Sequence, residues 1–362
     1  MSKPLRVIHC GTGVAGSAAL HSIILQDGLE LVGLLVNSEK NAGKDAASFA
    51  RLPDCGIVST RDVDALVALD ADVVVYMLLV PSVEHICAFL ESGKNVVTTA
   101  GFVFPQFNNK DVDARLRAAC EKGGTTFYST GLNPGVVDEI LPLSLTRLCA
   151  NVQQVYIAEY AWLGSYPSVA MLSDMMGFGK TLEEIENGGA KDMPLMSELF
   201  SGGCAGLGHS LGIEIDEVRE EREFVMTGKD IEIKAGTIKA GTMGGQRWRW
   251  TGYSKGVARV IQETFWIIAY DLGEGWPETG SMEGSKWEIK VEGTPSVKVK
   301  FEIARSWVDP TRRGLPASGV ATGMAAVNSV ADVVAARPGV LLAPDLPQPR
   351  MRLSEYGVAV QS

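Results

Sequence analysis

No run of eighteen apolar residues occurs in this 362-residue chain, so no membrane-spanning helix and no membrane partner are expected. Positive charge is also short: 33 lysines and arginines stand against 43 aspartates and glutamates, a net charge of −10. Nucleic-acid binding needs clustered Lys and Arg opposite phosphates, so that partner class is set aside and the acidity reads as solubility. Histidine is confined to His9, His21, His85 and His209, without metal-ligand spacing. Cys10, Cys55, Cys87, Cys120, Cys149 and Cys204 are scattered and form no C-x-x-C pair. Neither a disulfide framework nor a metal site is indicated. Met1-Ser2-Lys3-Pro4 runs straight into an apolar strand, which leaves no room for a signal peptide, and a cytoplasmic location is expected. There is no internal repeat and no low-complexity segment.

Glycine, by contrast, is abundant, with 40 residues, and its placement near the N-terminus is informative. Leu5-Arg6-Val7-Ile8-His9-Cys10 is followed by Gly11-Thr12-Gly13-Val14-Ala15-Gly16. The run reads as a buried strand, a G-x-G-x-x-G turn and the first turn of a helix. Gly11 permits the tight turn, Gly13 lets a pyrophosphate approach bare backbone, and Gly16 allows close helix–strand packing. The free N–H groups of the following helix point at the same phosphate. So many glycines make chance hexapeptides easy. A second apolar run, Leu29–Val36, follows at βαβ spacing and gives this one the required context.

Through residue 150 the pattern alternates. Strands are expected at Arg6–Cys10, Leu29–Val36, Asp72–Leu78, Asn95–Thr99 and Thr125–Ser129. Helices are expected near Val14–Gln26, Gly43–Arg51, Val63–Leu69, Ser82–Ser92, Lys110–Lys122 and Gly135–Cys149. Strands that are apolar throughout belong in a parallel sheet covered on both faces, and the alternation predicts a doubly wound α/β domain. Beyond Val152 the period becomes two: Val155–Trp162, Ile213–Thr227, Met243–Tyr253, Ala258–Tyr270, Trp287–Val291 and Val297–Ile303. With helices at Ser168–Met176 and Leu195–Leu207, this reads as an α+β domain around a mostly antiparallel sheet. The small-residue helix Gly319–Ala336 is apolar nearly all round and should be buried, and Pro338–Pro349 reads as an extended tail. The expected domains are 1–150 for dinucleotide binding, 151–318 for substrate and dimerisation, and 319–362 for a helix and tail packing back on the first.

An NAD site of this kind carries Asp or Glu about twenty residues past the glycines. Here the second strand ends Val36-Asn37-Ser38-Glu39-Lys40. Asn37, Ser38 and Lys40 suit a 2′-phosphate, so NADP(H) is favoured, with NAD(H) the alternative; Lys40 and Lys44 as plain solvated charges stay open. Ligands of open α/β sheets lie beyond the carboxyl ends of the strands. That rule selects Leu79-Val80-Pro81, Thr99-Ala100 and Ser129-Thr130-Gly131-Leu132-Asn133-Pro134-Gly135. Asn133 either bonds a nicotinamide carboxamide or caps a helix.

Five segments, Gly11-Thr12-Gly13-Val14-Ala15-Gly16, Gly93-Lys94-Asn95-Val96-Val97-Thr98-Thr99, Gly131-Leu132-Asn133-Pro134-Gly135, Met175-Met176-Gly177-Phe178-Gly179 and Gln246-Arg247-Trp248-Arg249-Trp250-Thr251-Gly252, resemble one family. The chain is similar to the dihydrodipicolinate reductase-like oxidoreductases, in the branch with 2,4-diaminopentanoate dehydrogenase and the native amine dehydrogenases. The resemblance implies an N-terminal Rossmann domain, a mixed-sheet C-terminal domain, a homodimer, and hydride transfer between NAD(P) and a C=N or C=O carbon. Two departures stand out. The histidine-rich catalytic segment of true dihydrodipicolinate reductases is absent. The catalytic glutamate that the branch implies just past Thr98-Thr99 is absent too, since that stretch reads Ala100-Gly101-Phe102-Val103-Phe104-Pro105.

A proton donor must then come from elsewhere. Glu139, Tyr166 and His209 are the catalytic candidates, although an acid at Asp138 or Glu139 also suits the helix dipole. Phe102, Trp162 and Phe178 are candidates for an apolar substrate pocket, and a plain core would use the same residue types. The expected function is an NAD(P)-dependent oxidoreductase acting on a carbonyl or imine of an apolar small molecule. The alternative is a catalytically inactive NADP-binding sensor or scaffold.

Overall fold

A computed structural model describes residues 3–167, 169–187, 194–268, 272–276, 285–305 and 316–347. The chain divides into two compact units, residues 1–136 with 306–362 and residues 137–305. The expected domain limits lay at 150/151 and 318/319.

The first unit begins β1 (Leu5–Cys10), α1 (Val14–Leu25), β2 (Leu29–Leu35), α2 (Ala46–Ala50), β3 (Ser59–Thr60) and α3 (Val63–Val67). It continues β4 (Val73–Tyr76), α4 (Val83–Glu91), β5 (Asn95–Thr98), α5 (Pro105–Asn108), α6 (Lys110–Gly123) and β6 (Thr126–Ser129). The C-terminal part returns to it with helix Ala317–Ala335 and strand Gly339–Leu341, numbered α10 and β15 in chain order. The sheet order is β15-β6-β5-β4-β1-β2-β3, and every pairing in it is parallel. β4 is Val-Val-Val-Tyr with all four residues buried, because both faces are covered. Val7, Val73, Val75 and Val97 pack with Leu20 and Ile23 of α1 and Val327 and Val330 of α10. Ile8, Val74 and Val96 pack with Phe89 and Leu90 of α4 and Leu116 of α6 on the other face. The doubly wound expectation holds.

Three local readings need correction. The helix expected from Gly43 starts at Ala46, because Asp45 caps it by accepting from the Ala47 N–H at 2.8 Å. Gly43 and Lys44 are instead bonded to Ser59. The helix expected over Gly135–Cys149 is a wide-turned segment, Leu132–Ile140, leading into α7 (Leu141–Thr146). Asn133, Pro134 and Gly135 are non-helical within it, Gly135 at φ 131°. The supposed tail holds β15, whose Gly339, Val340 and Leu341 pair with Thr126, Phe127 and Tyr128. Three residues are too short for a pattern, and parallel pairing is a non-local choice.

The second unit continues β7 (Val152–Trp162), a wide-turned segment Ala170–Met175, α8 (Leu182–Asn187), α9 (Pro194–Ser210) and β8 (Glu217–Met226). Then follow β9 (Ile231–Ile233), β10 (Gly236–Ile238), β11 (Met243–Ser254), β12 (Val257–Ile267), β13 (Ser285–Gly293) and β14 (Val297–Glu302). The large sheet runs β14-β13-β7-β12-β11-β8; β7 and β12 are parallel and the other neighbours antiparallel. This matches the expected mostly antiparallel sheet. The strand expected from Ile213 begins at Glu217 because Ile213 still serves α9, its N–H bonding the Gly208 carbonyl. Ser168 and Tyr270, each an end of an expected element, lie outside the described residues. Alternation separates the faces. Trp248, Trp250, Gln262 and Trp266 share one with α9, whose Phe200 ring stacks on Trp250 at 4.4 Å. Arg247, Arg249, Glu263 and Phe265 share the other.

Helix α10 is long and apolar enough by length and composition to cross a membrane, yet its Gly319 and Gly323 are in close contact with α1. A Cβ on Gly323 would meet the Ala15 carbonyl oxygen at 2.8 Å and the Ala19 nitrogen at 3.1 Å. Backbone contact of that kind leaves no side chain free to yield. Gly323→Leu is therefore expected to lower stability by about 2 kcal/mol or more. The same leucine at exposed Ala331 should shift it by less than about 0.5 kcal/mol. Urea unfolding of both variants checks this, and equal effects would refute the close packing.

Candidate functional site

Parallel pairing brings the carboxyl ends of the first unit's strands to one edge. Thr60, Leu35, Cys10, Tyr76, Thr98 and Ser129 are neighbours in a single row across β3-β2-β1-β4-β5-β6. Each candidate cofactor segment leaves the sheet just past this row: Gly11–Gly16, Asn37–Lys40, Leu79–Pro81, Thr99–Ala100 and the loop to Asn133. Residues as far apart in sequence as Gly11 and Asn133 thus reach one rim of the first unit.

The glycine turn sits between β2 and β4. The Gly11 N–H bonds the Leu35 carbonyl at 3.0 Å, and the Met77 N–H bonds the Cys10 carbonyl at 2.7 Å. Gly11 has φ 104°, and a Cβ there would lie 2.5 Å from the Met77 carbonyl oxygen. Only glycine meets both demands. A Cβ on Gly16 would collide with the Gly11 carbonyl. Gly13 differs, because a Cβ there would meet nothing within 4 Å and its φ of −69° suits any residue. Gly13 is also the N-cap of α1 and supplies no side-chain bond to the first turn. The turn is braced instead from outside the opening, Ser17 Oγ bonding the Thr12 carbonyl at 3.0 Å. Val14 and Ala15 are half-buried beside α10. The result is a set of uncapped helix N–H groups beneath open space, an arrangement suited to an anion.

His9 lies under this turn with no exposed surface. Neither ring nitrogen has a hydrogen-bond partner. Burial pushes its pKa from 6.5 down to about 4, opposed only in part by the nearby Gly11 and Gly16 backbone. The imidazole is therefore neutral at physiological pH and adds no charge beneath the opening.

At the end of β2, Asn37 and Lys40 are exposed, while the Ser38 hydroxyl is buried without a partner. Past β4, Leu79 and Val80 present exposed apolar side chains, 55% and 72% accessible, with half-buried Pro81 next to them. Past β5, the Thr98 hydroxyl bonds the Tyr76 carbonyl at 2.9 Å and accepts from the Ala100 N–H at 3.0 Å. That fixes Thr99 and Ala100 at the rim. Phe102 follows at φ 65°, an uncommon conformation for a bulky residue. Its ring meets the edge of Phe127 at 6.3 Å, among the first unit's core side chains. Asn133 is half-buried and extended, φ −155°, immediately before a cis peptide to Pro134.

The remaining candidates belong to the second unit. Glu139 is buried and accepts a bond from Ser210 Oγ at 3.4 Å. Beside it in sequence, buried Asp138 accepts from Gln262 Nε2 at 3.2 Å, both of them against Gly203 of α9. Sequence reading had no means to find this pair, which joins residues 124 apart. Tyr166 is half-buried, and burial raises its pKa. His209 is exposed in the last turn of α9. Trp162 donates its indole N–H to the Ile268 carbonyl at 3.2 Å, and Phe178 has no exposed surface. Groups of three or more His, Cys, Asp or Glu able to hold a metal are absent among the described residues.

The family described as 2,4-diaminopentanoate dehydrogenase C-terminal domain matches residues 136–361. An amine dehydrogenase of Streptomyces virginiae is 24% identical over 349 residues, 93% of this chain and 94% of that one. A 2,4-diaminopentanoate dehydrogenase of Acetoanaerobium sticklandii is 22% identical over 370 residues, 98% and 96% of the two chains. The solved amine dehydrogenase of Mycobacterium smegmatis superposes with a TM-score of 0.76 at 19% identity, covering 96% and 97%.

Two outcomes are expected. Gly13→Val should fold with near-native stability, since its Cβ finds free space, yet lose binding of a nicotinamide dinucleotide measured by calorimetry. Unchanged affinity would show that the ligand lies elsewhere. For His9, the unfolded chain takes up a proton near pH 6.5 and the folded chain only near pH 4. Stability should thus be full above pH 6.5 and fall towards pH 4, by about 3 kcal/mol from this group. Urea unfolding between pH 7.5 and 4.5 should show a shallower loss in His9→Asn; equal slopes would refute the assignment.

Proposed function

The chain belongs to the 2,4-diaminopentanoate dehydrogenase C-terminal domain family, and we propose that it is an NAD(P)-dependent oxidoreductase. In this reading it moves hydride between a nicotinamide cofactor and the C=O or C=N carbon of an apolar small molecule. Gly13 carries the reading. Gly11 and Gly16 are required by the protein's own packing, whereas the space over Gly13 is open and faces an uncapped helix N-terminus. A side chain there would fill the approach that a pyrophosphate needs, so the residues fit the group.

In this arrangement the N–H groups at the start of α1, with Thr12, Gly13, Val14 and Ala15, would hold the pyrophosphate. Asn37, Ser38 and Lys40 would flank the adenosine ribose. They suit NADP(H) better than NAD(H), because Asn37 stands where an acid would accept from a free 2′-hydroxyl, with Glu39 two residues further on. Leu79, Pro81, Thr99, Ala100 and Asn133 would run along the rest. When bound, the nicotinamide supplies the hydride chemistry at its C4 carbon. The protein's work is to orient, exclude water and deliver a proton. Tyr166 Oη keeps its proton at neutral pH, since burial raises its pKa, and it can donate to a forming alkoxide or amine. Glu139 Oε1 and His209 are the other two proton-transfer candidates.

The Phe102 ring packs on Phe127, and the stretch Ala100–Pro105 offers no base for activating ammonia. That observation favours direct carbonyl reduction. The amine dehydrogenase relatives support the imine reading as the second. NADPH oxidation by a panel of apolar ketones, with and without ammonium, separates the two. Turnover without ammonium is expected. Strict dependence on ammonium would establish the amine reading instead, and binding without any turnover would favour a sensor or scaffold.

A further inference from the structure

We propose that Arg61 is the residue that selects a 2′-phosphorylated dinucleotide over its unphosphorylated counterpart; this rests on the dinucleotide reading of the glycine turn. The loop after β2 has no arginine of its own, and its residues 37–44 hold Lys40 and Lys44 against one acid, Glu39. The third strand supplies what the loop lacks. β3 pairs with β2 so that Thr60 lies opposite Leu35, and the Val36 N–H bonds the Thr60 carbonyl at 2.9 Å. Arg61 is the next residue, so it leaves the sheet alongside Asn37 and Ser38.

The loop is fastened to that strand. Buried Ser59 has its hydroxyl within 2.7 Å of the Asn41 carbonyl and 2.9 Å of the Lys44 carbonyl. The same hydroxyl accepts from the Lys44 N–H at 3.2 Å, and the Gly43 N–H bonds the Ser59 carbonyl at 2.9 Å. Lys40, Lys44 and Arg61 are thereby carried on one anchored piece of backbone. Arg61 is exposed and enters no ion pair among the described residues. Its neighbour Asp62 is already committed as the cap of α3, accepting from the Ala65 N–H at 2.9 Å. The buried, unpartnered Ser38 hydroxyl supplies a polar group at the same end of β2.

A phosphomonoester is recognised best by a planar guanidinium, which can donate two parallel bonds to its oxygens. The lysines contribute charge without that geometry. Arg61 therefore discriminates the 2′-phosphate, and the lysines add attraction common to any anion. An acid at the end of β2 would have opposed this, and Asn37 and Ser38 stand there instead.

Calorimetric titration with 2′,5′-ADP, 5′-AMP, NADPH and NADH tests the assignment on the wild type, Arg61→Ala and Arg61→Lys. Arg61→Ala should weaken 2′,5′-ADP and NADPH at least roughly tenfold, about 1.4 kcal/mol. Binding of 5′-AMP and NADH should stay within about twofold, with Arg61→Lys between the alanine variant and the wild type for the phosphorylated pair. Equal losses for both pairs, no loss for either, or a wild type that prefers NADH would overturn the role of Arg61 and leave the oxidoreductase reading standing. A wild type that binds none of the four ligands would instead sink the dinucleotide reading itself.

Discussion

The first unit is organised by a close approach of backbone to backbone. β1 ends in a turn pressed between the carboxyl ends of β2 and β4, so near Met77 that a Cβ on Gly11 would touch its carbonyl oxygen. α1 then returns over the same turn, so close that Gly16 too must lack a side chain. Because backbone cannot yield as a side chain can, these two contacts set where α1 begins and how it lies. The small residues of α1 in turn admit α10 through Gly319 and Gly323. That packing covers one face of the sheet and lets β15 add to its edge.

The same constraint divides the labour among three glycines that look alike in sequence. Gly11 and Gly16 answer to the protein's own packing and would be demanded by the fold even without a ligand. Gly13 answers to nothing in the chain, and its conformation suits any residue. The space left above it is what the dinucleotide proposal rests on. Beneath it the buried imidazole of His9 is kept neutral by desolvation. Attraction at this point thus comes from helix N–H groups, whose position is set by the turn.

The second unit has a different logic. Its sheet has unlike faces, with the tryptophans of β11 turned towards α9 and the arginines turned away. On the arginine face, Glu263 is nearly inaccessible yet well satisfied, accepting from Tyr156 Oη and from Arg247 Nε at 2.7 Å. On the other, buried Asp138 and Gln262 bond to each other beside the tryptophans, where Gln246 and Thr264 are buried too. A carboxylate kept there must be held by hydrogen bonds, because leaving it alone in an apolar setting would be costly.

Much of this was legible in the residues themselves. Continuous apolar runs such as Val73–Tyr76 announce a parallel sheet, and the two-residue period of β11 and β12 announces a sheet with unlike faces. Both are local properties of side chains along a strand, as is the glycine turn. What tertiary structure decided were the non-local pairings. β15 is three residues with no pattern of its own, and it becomes a strand only because β6 offers an unpaired edge. Arg61 was invisible as a candidate, since it joins Asn37 only through the Leu35–Thr60 register. The distinction between Gly13 and its neighbours likewise appears only when Met77 and α1 are in place. Sequence by itself determined the kinds of element and the place of the glycine turn, because those depend on neighbours a few residues away. Which glycine is free, and which cation stands beside the loop after β2, depend on contacts made across the sheet, and folding alone settles them.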